Sequence, residues 1–388
     1  MLSIIQIRGD GTYYTSIGRD DYLLNGGEPR GIWLGKGAEA LGLSGLVDDA
    51  VYRRLLGGFS PDGAEELVRN AGTESRRPGW DLTFSAPKSV SELWAASHDI
   101  PGLERIIREA HWAAVKRVVR HLEEVAGQAR EGLGGHTRTP VRLVVAGFEH
   151  GTSRNLDPQL HCHCVLINVG VRLDGVTRSI VSKAIFRQKM TAGALYRAEL
   201  ASQLRQKLGL EFVAKSSWFE VAGVPQSLMD AGSSRRKEIL AELEKSGFTG
   251  PKAAKIVARD TRETKKVIPR EELFERWGHV AASHGFGAEQ VRKTNSTGFD
   301  AHPDEDSRRD RGGEHRQDFG TAELFLGTGT HSRRRRKDAT NGNPGRLHFG
   351  HGTRGSQSTG PIRRSSVGAS VHKSRDSRTR KKTHRAGS

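Results

Sequence analysis

Residues 148–168 read Phe-Glu-His-Gly-Thr-Ser-Arg-Asn-Leu-Asp-Pro-Gln-Leu-His-Cys-His-Cys-Val-Leu-Ile-Asn, and no other stretch restricts the fold so tightly. Successive side chains of a strand point to opposite faces. His161 and His163 therefore project together, while Cys162 and Cys164 project the other way. Apolar residues from Val165 onward carry this strand, Leu160 to Ile167, into a core. Val141 to Phe148 reads as a second strong strand with His150 at its end, and a turn holding Asp157-Pro158 brings the chain back. If the two strands are neighbours, His150, His161 and His163 converge on one point.

Three neutral imidazoles suit a divalent ion such as Zn, Mn, Ni or Co and leave coordination positions open, as a catalytic site requires. Mixed His/Cys ligation, as in a zinc knuckle, is the first competing reading. Alternation opposes it, because one strand cannot aim four consecutive side chains at one ion. The other competitor is a set of surface histidines, which the third imidazole eleven residues upstream of His161 disfavours. Cys162 and Cys164 are too close along one strand for good disulfide geometry, so no stapled framework is expected and a reducing compartment fits. Asp81, in the strand Trp80 to Ser85, is an acidic residue among apolar ones. Once buried it needs a partner or a chemical role: it can orient a ligand histidine or accept a proton from a nucleophile.

Around these strands the chain reads as α+β: a central antiparallel, palm-like sheet with flanking helices. Ser3 to Arg8 is a short strand, followed by a turn-rich segment carrying Tyr13, Tyr14 and Tyr22, and Val47 to Leu56 is a short helix. Leu103, Ile106, Ile107, Ala110, Ala114, Val118 and Leu122 recur at helical spacing, with Arg residues on the remaining faces. A second long helix runs from about Thr191 to Leu208, and Ser227 to Trp277 is mostly helical. The expected division is a folded domain over 1–290, with 190–290 a mostly helical extension that clasps DNA, and a low-complexity basic tail over 291–388. That tail holds 22 Lys and Arg against 10 Asp and Glu, leaving 40 against 35 for the rest, so most of the +17 formal charge lies there. Rich in Gly, Ser, Thr and Arg, it buries too little apolar area to order itself and is expected to be disordered and to touch phosphates nonspecifically. The N-terminus lacks a signal-peptide pattern and no run of 18 apolar residues occurs, so no membrane insertion and a cytoplasmic location are expected.

The pattern resembles the relaxase domain of conjugative relaxases of the MobF class (TrwC/TraI type), within the HUH endonuclease superfamily. The likeness runs from the N-terminal tyrosines through Gly35-Lys36-Gly37-Ala38-Glu39 and Leu41-Gly42-Leu43-Ser44-Gly45. It continues through Asp81-Leu82-Thr83-Phe84-Ser85-Ala86-Pro87-Lys88-Ser89-Val90-Ser91 to the histidine run, and more weakly through Tyr196-Arg197-Ala198-Glu199-Leu200 to roughly residue 290. The resemblance implies site- and strand-specific nicking and strand transfer at a transfer origin. Tyr13, or Tyr14 beside it, would attack the scissile phosphate to give a 5′-phosphotyrosine and a free 3′-hydroxyl, and Tyr22 would serve a later transfer. Asp81 matches the acidic residue of the site, Arg154 sits where a positive charge can contact DNA or the phosphate, and Lys88 is a second candidate for DNA contact. It implies a divalent metal, Mg or Mn in use, with Zn, Ni or Co able to occupy the site. Implied partners are single-stranded or hairpin DNA, accessory relaxosome proteins and a coupling protein.

Two departures stand out. Leu23 follows Tyr22 where relatives often have tandem tyrosines. No G-x-x-x-x-G-K-[ST] string occurs; Gly31 to Gly37 contains Gly-Lys-Gly without the following hydroxyl, so no helicase or ATPase activity is expected, whether the chain is a stand-alone relaxase or a fragment. A rolling-circle replication initiator or single-strand transposase shares the histidines but usually places its tyrosine after them. A non-catalytic DNA-binding remnant is the alternative outside the enzymes, and intact Tyr13, Asp81 and histidines oppose it.

Overall fold

The long apolar run after His163 makes a central strand. In the computed structural model, residues 1–7, 28–247, 249–260 and 268–294 are described. Tyr13, Tyr14, Tyr22 and all of the expected tail beyond residue 294 lie outside them.

Strand β1 (Leu2–Gln6) is followed by β2 (Ile32–Leu34), helices α1 (Lys36–Ala40) and α2 (Asp49–Gly57), and β3 (Gly79–Ser85). Helix α3 (Lys88–Ala96), the long α4 (Leu103–Ala126) and a hairpin of β4 (Gln128–Glu131) and β5 (Thr137–Pro140) lead to β6 (Arg142–Thr152) and β7 (Pro158–Val171). Then come β8 (Thr177–Arg178), α5 (Ser182–Arg187), α6 (Lys189–Leu208) and a second hairpin, β9 (Phe212–Ala214) with β10 (Phe219–Val221). Helices α7 (Gln226–Ala231), α8 (Ser234–Ser246), α9 (Pro251–Asp260), α10 (Arg270–Ser283) and α11 (Ala288–Thr294) complete the described chain.

The main sheet has the order β1-β3-β7-β6-β2, with every neighbouring pair antiparallel and β8 paired to the far end of β7. Alternation divides its residues between two cores. On one face Trp80, Leu82, Phe84, Leu160, Cys162, Cys164 and Leu166 meet α4 and α6. Ile107, Ala110, Ala114, Val118 and Leu122 form the buried stripe of α4 that the helical spacing predicts. On the other face Val165, Ile167, Val169, Val144, Ala146 and Phe148 pack with Ala38 of α1 and Tyr52, Leu55 and Leu56 of α2. Each of these large aliphatic side chains contributes about 1.5–3 kcal/mol by leaving water. Helix α2 is closed at both ends: Asp48 accepts from the Val51 amide at 2.9 Å, and the Arg76 guanidinium donates to the Leu56 carbonyl at 2.6 Å and the Leu55 carbonyl at 3.3 Å.

The sheet and the long helices fall where the sequence places them, but the helical extension is arranged differently. Helix α6 lies under the sheet in the same core as α4, and Leu228, Met229, Leu273, Phe274 and Trp277 join that core too. The contact runs through α3, whose Trp94 ring lies 4.9 Å from Phe274 and 5.7 Å from Trp277, with the Arg270 guanidinium 5.4 Å above it. Sequence periodicity marks a helix's apolar stripe and not which core receives it. Helix α3, both hairpins and β2 were not anticipated; the hairpin strands and β2 are only three or four residues long, too short for alternation to register.

Helix α3 also buries Glu92, whose carboxylate lies 3.0 Å from the Lys88 ammonium. Gly232 presses against it; a Cβ there would lie 2.0 Å from Glu92 Oε1. Burial pushes the Glu92 carboxyl up to about 7, with Lys88 opposing and Asp157 adding to the rise. Between about 4.5 and about 7 the folded chain therefore binds more protons than the unfolded one, and this group's contribution to stability falls as pH rises through that window. Thermal melts at pH 5 and pH 8 check this. The Tm difference between Glu92→Gln and wild type should move in favour of the variant as pH rises.

Candidate metal centre

The strand register assembles the site. His150 of β6 lies directly opposite His161 of β7, and His163 lies one alternation further along β7, opposite Thr83 of β3. The three rings face one another with centroids 5.3, 4.9 and 5.0 Å apart. One ring nitrogen from each lies within 4.8 Å of the others, so the three donors cluster as a metal-ligand set does. His150 is 6% exposed and His161 9% exposed, so the donors are largely withdrawn from water. The sequence ends the first strand at His150, whereas β6 continues to Thr152, so all three ligands lie within strands. Gly151 makes this possible. A Cβ at that position would lie 2.6 Å from the Trp94 ring, which packs against the strand beside His150.

Two of the imidazoles have partners behind them. His163 Nδ1 lies 2.8 Å from Asp81 Oδ2, and Thr83 Oγ1 donates to the same carboxylate oxygen at 3.2 Å. His161 Nδ1 lies 2.7 Å from the Gln159 carbonyl oxygen. Both partners are acceptors, so each Nδ1 carries the proton and each Nε2 keeps its lone pair. That is the tautomer a metal-ligating histidine needs, with its ring fixed by the partner. A neutral, borderline nitrogen donor set of this kind fits a divalent cation. Asp81, 5% exposed, thus has the partner that a buried carboxylate demands.

The cysteines are on the other side of the strand. Cys162 and Cys164 are free thiols, fully buried, with sulfurs 3.7 Å apart. Burial pushes the Cys162 thiol well above its ordinary range, so it stays protonated. On the same face Glu149, neighbour of His150, receives Arg108 Nε and Trp112 Nε1, each at 2.6 Å, which compensates its buried charge. Sequence reading passed over Glu149. Its signal was present: an acid on the core face of a strand calls for partners, and Arg108 and Trp112 are one helical turn apart. Glu28 was also missed; its carboxylate accepts from the amide of Gly151 at 2.8 Å.

Other expected site residues are distributed unevenly. Arg154 is half-buried in the β6–β7 turn. Lys88 is engaged inside the fold, donating to the Pro158 carbonyl at 2.7 Å as well as pairing with Glu92. Of the five tyrosines in the chain, Tyr52 and Tyr196 are fully buried in the two cores. The Tyr196 hydroxyl lies 2.7 Å from His111 Nδ1, and burial raises its pKa well above the ordinary value. Tyr13, Tyr14 and Tyr22 fall outside the described residues.

An antiparallel sheet that brings three imidazoles together from two adjacent central strands defines a protein with a histidine-centred site suited to a divalent metal. The TrwC relaxase family profile matches residues 8–284. The multifunctional conjugation protein TraI of Escherichia coli (strain K12) is 36% identical over 309 residues, which cover 75% of this chain and 17% of TraI. The conjugative relaxase TrwC, solved in complex with oriT DNA in a metal-bound structure, superposes with a TM-score of 0.65 at 34% identity, over 74% of this chain and 99% of that one. A further TrwC complex, with a 27-mer DNA comprising the recognition hairpin and the cleavage site, gives 0.62 at 33% identity over the same shares. The chain belongs to the TrwC relaxase family. It spans about a sixth of the length of TraI.

Two substitutions separate the faces of β7. Asp81→Ala should weaken Mn²⁺ binding by about 10–100-fold, the usual effect of removing a carboxylate behind a ligand histidine, in isothermal titration calorimetry. The double change Cys162→Ala/Cys164→Ala should leave that affinity unchanged and cost about 1 kcal/mol per thiol in denaturant unfolding. A loss of metal binding in the double variant would restore the mixed His/Cys reading.

Proposed function

We propose that the chain nicks and rejoins one strand of DNA at a transfer origin through a tyrosine nucleophile beside the imidazole triad. The observation that carries this reading is the triad itself: three converging nitrogen donors with Asp81 fixing His163. Support comes from relatives that are conjugative relaxases solved on oriT DNA. Elimination among the tyrosines adds to it, because the two buried hydroxyls of Tyr52 and Tyr196 cannot reach a substrate.

A tyrosine hydroxyl with a pKa near 10 needs a base and a polarised phosphate to react at neutral pH. Tyr13, or Tyr14 beside it, attacks the scissile phosphorus. A new phosphorus–oxygen bond forms to the tyrosine, the bond to the 3′-oxygen breaks, and the tyrosyl proton leaves with the departing 3′-hydroxyl or a nearby base. The product, a 5′-phosphotyrosine and a free 3′-hydroxyl, retains the phosphodiester energy, so the strand can be rejoined without ATP. Tyr22 serves the second transfer. His150, His161 and His163 hold a divalent ion, Mg or Mn in use, which supplies charge neutralisation at the phosphate when bound. Asp81 acts from behind His163, keeping its Nε2 turned to the site. Arg154 supplies a positive charge to the phosphate backbone from the turn between the ligand strands. Lys88, tied to Pro158 and Glu92, acts on DNA only through the turn it anchors.

The substrate is single-stranded DNA next to a hairpin, with the helices after residue 226 closing over it through stacking and phosphate contacts. Accessory relaxosome proteins and a coupling protein are its partners in a cytoplasmic reaction. No helix among the described residues is long and apolar enough to cross a membrane.

The chain is incubated with oligonucleotides carrying its cognate origin and Mg²⁺ or Mn²⁺, and the products are run on denaturing gels. The expected result is a covalent protein–DNA adduct that disappears in Tyr13→Phe. It should fall at least 100-fold in His161→Ala/His163→Ala, on the scale of a lost charge-stabilising group. Origin binding without adduct across both metals would overturn the enzyme reading in favour of a DNA-binding remnant.

A further inference from the structure

The turn between the two ligand strands has a second use. Within it Ser153 and Asp157 close on each other: the Ser153 amide donates to the Asp157 carbonyl at 2.9 Å, and the Asp157 amide donates to Ser153 Oγ at 3.1 Å. Leu156 adopts a left-handed conformation, φ 63°, that a branched residue enters only when its surroundings impose it. Those surroundings are three helices. Trp277 Nε1 of α10 donates to the Leu156 carbonyl at 2.9 Å, and Lys88 Nζ of α3 donates to Pro158 at 2.7 Å. From α8, Ser234 Oγ reaches both Asp157 carboxylate oxygens at 2.8 and 2.9 Å, and the Arg235 amide donates to Oδ2 at 3.3 Å.

Asp157 therefore occupies the place of an N-cap for α8, although it lies 77 residues earlier in the chain than Ser234. The residue at the helix's own cap position, Ser233, makes no side-chain cap hydrogen bond. A carboxylate at a helix N-terminus satisfies orphan amides and meets the positive end of the helix dipole. Arg235 carries the connection onward, donating to the Ala258 carbonyl at 2.9 Å in α9.

We propose that Asp157 is a positioning residue that couples the imidazole triad to the helices after residue 226. It caps α8 from the turn that joins the strands carrying His150 and His161. The geometry of the metal centre and the order of α8 are then set together, and coupling of this kind is reciprocal. Metal occupancy tightens α8, and loosening α8 weakens the metal centre. The proposal rests on the metal reading of the triad given above but not on DNA cleavage.

Hydrogen exchange of the full chain, followed by mass spectrometry with and without Mn²⁺, tests it alongside calorimetric Mn²⁺ titration. In wild type the amides of α8 should slow at least threefold when Mn²⁺ is added. Asp157→Ala should abolish that slowing and weaken Mn²⁺ binding about tenfold or more. Asp157→Asn should restore both, because Asn caps helices as well as Asp. Ser234→Ala, a change outside the turn, should weaken Mn²⁺ binding in the same direction by a smaller factor. Unchanged Mn²⁺ affinity in Asp157→Ala or Ser234→Ala, with α8 loosened, would reduce the contact to local scaffolding and sink the coupling. A wild-type chain that binds Mn²⁺ with no change in α8 would also sink it. A wild-type chain that binds no Mn²⁺ brings down the metal reading itself.

Discussion

The pairing of His150 with His161 across β6 and β7 is the constraint on which the rest depends. Side chains alternate along a strand, so a slip of one residue would send the histidines into the α4 core and the cysteines to the site. The register is held from both faces at once. Apolar residues that continue from His163 pack on α1 and α2, while Cys162, Cys164 and Leu166 pack on α4 and α6. Hydrophobic burial, which has no direction of its own, thereby fixes the aim of three polar groups.

The polar groups are then refined by a smaller set of directional contacts. Asp81 behind His163 and the Gln159 carbonyl behind His161 choose the tautomer and orientation of each ring. Glu149, next to His150, is held on the opposite face by Arg108 and Trp112, which anchors β6 to α4 directly under the site. None of these contacts is large in energy compared with the core. Their value is geometric: they remove alternatives that the core would tolerate.

Much of this was legible in the residues because alternation and helical spacing are local signals. The separation of His161 and His163 from Cys162 and Cys164, the buried stripe of α4 and the need of Asp81 for a partner all follow from spacing and burial cost. Contacts between distant segments were not legible in the same way. Glu28 meeting Gly151, Lys88 meeting Pro158 and Asp157 meeting Ser234 join elements whose approach no window of sequence contains. Lys88 illustrates the limit, since its motif says nothing of the carbonyl and carboxylate that engage it. The extension shows the same limit at larger scale: its helices were visible, but their entry into the α4–α6 core through Trp94 was not.

The burial of Tyr52 and Tyr196 has a practical corollary for chemical modification. With both side chains fully enclosed, one sealed in the α2 core and the other beside His111, reagents that nitrate or iodinate phenols cannot reach them in the native chain. Any label incorporated before unfolding then lies elsewhere than on these two rings. The fold thus supplies its own silent reference, and the gain in labelling of these two rings on denaturation reports the opening of each core without any substitution.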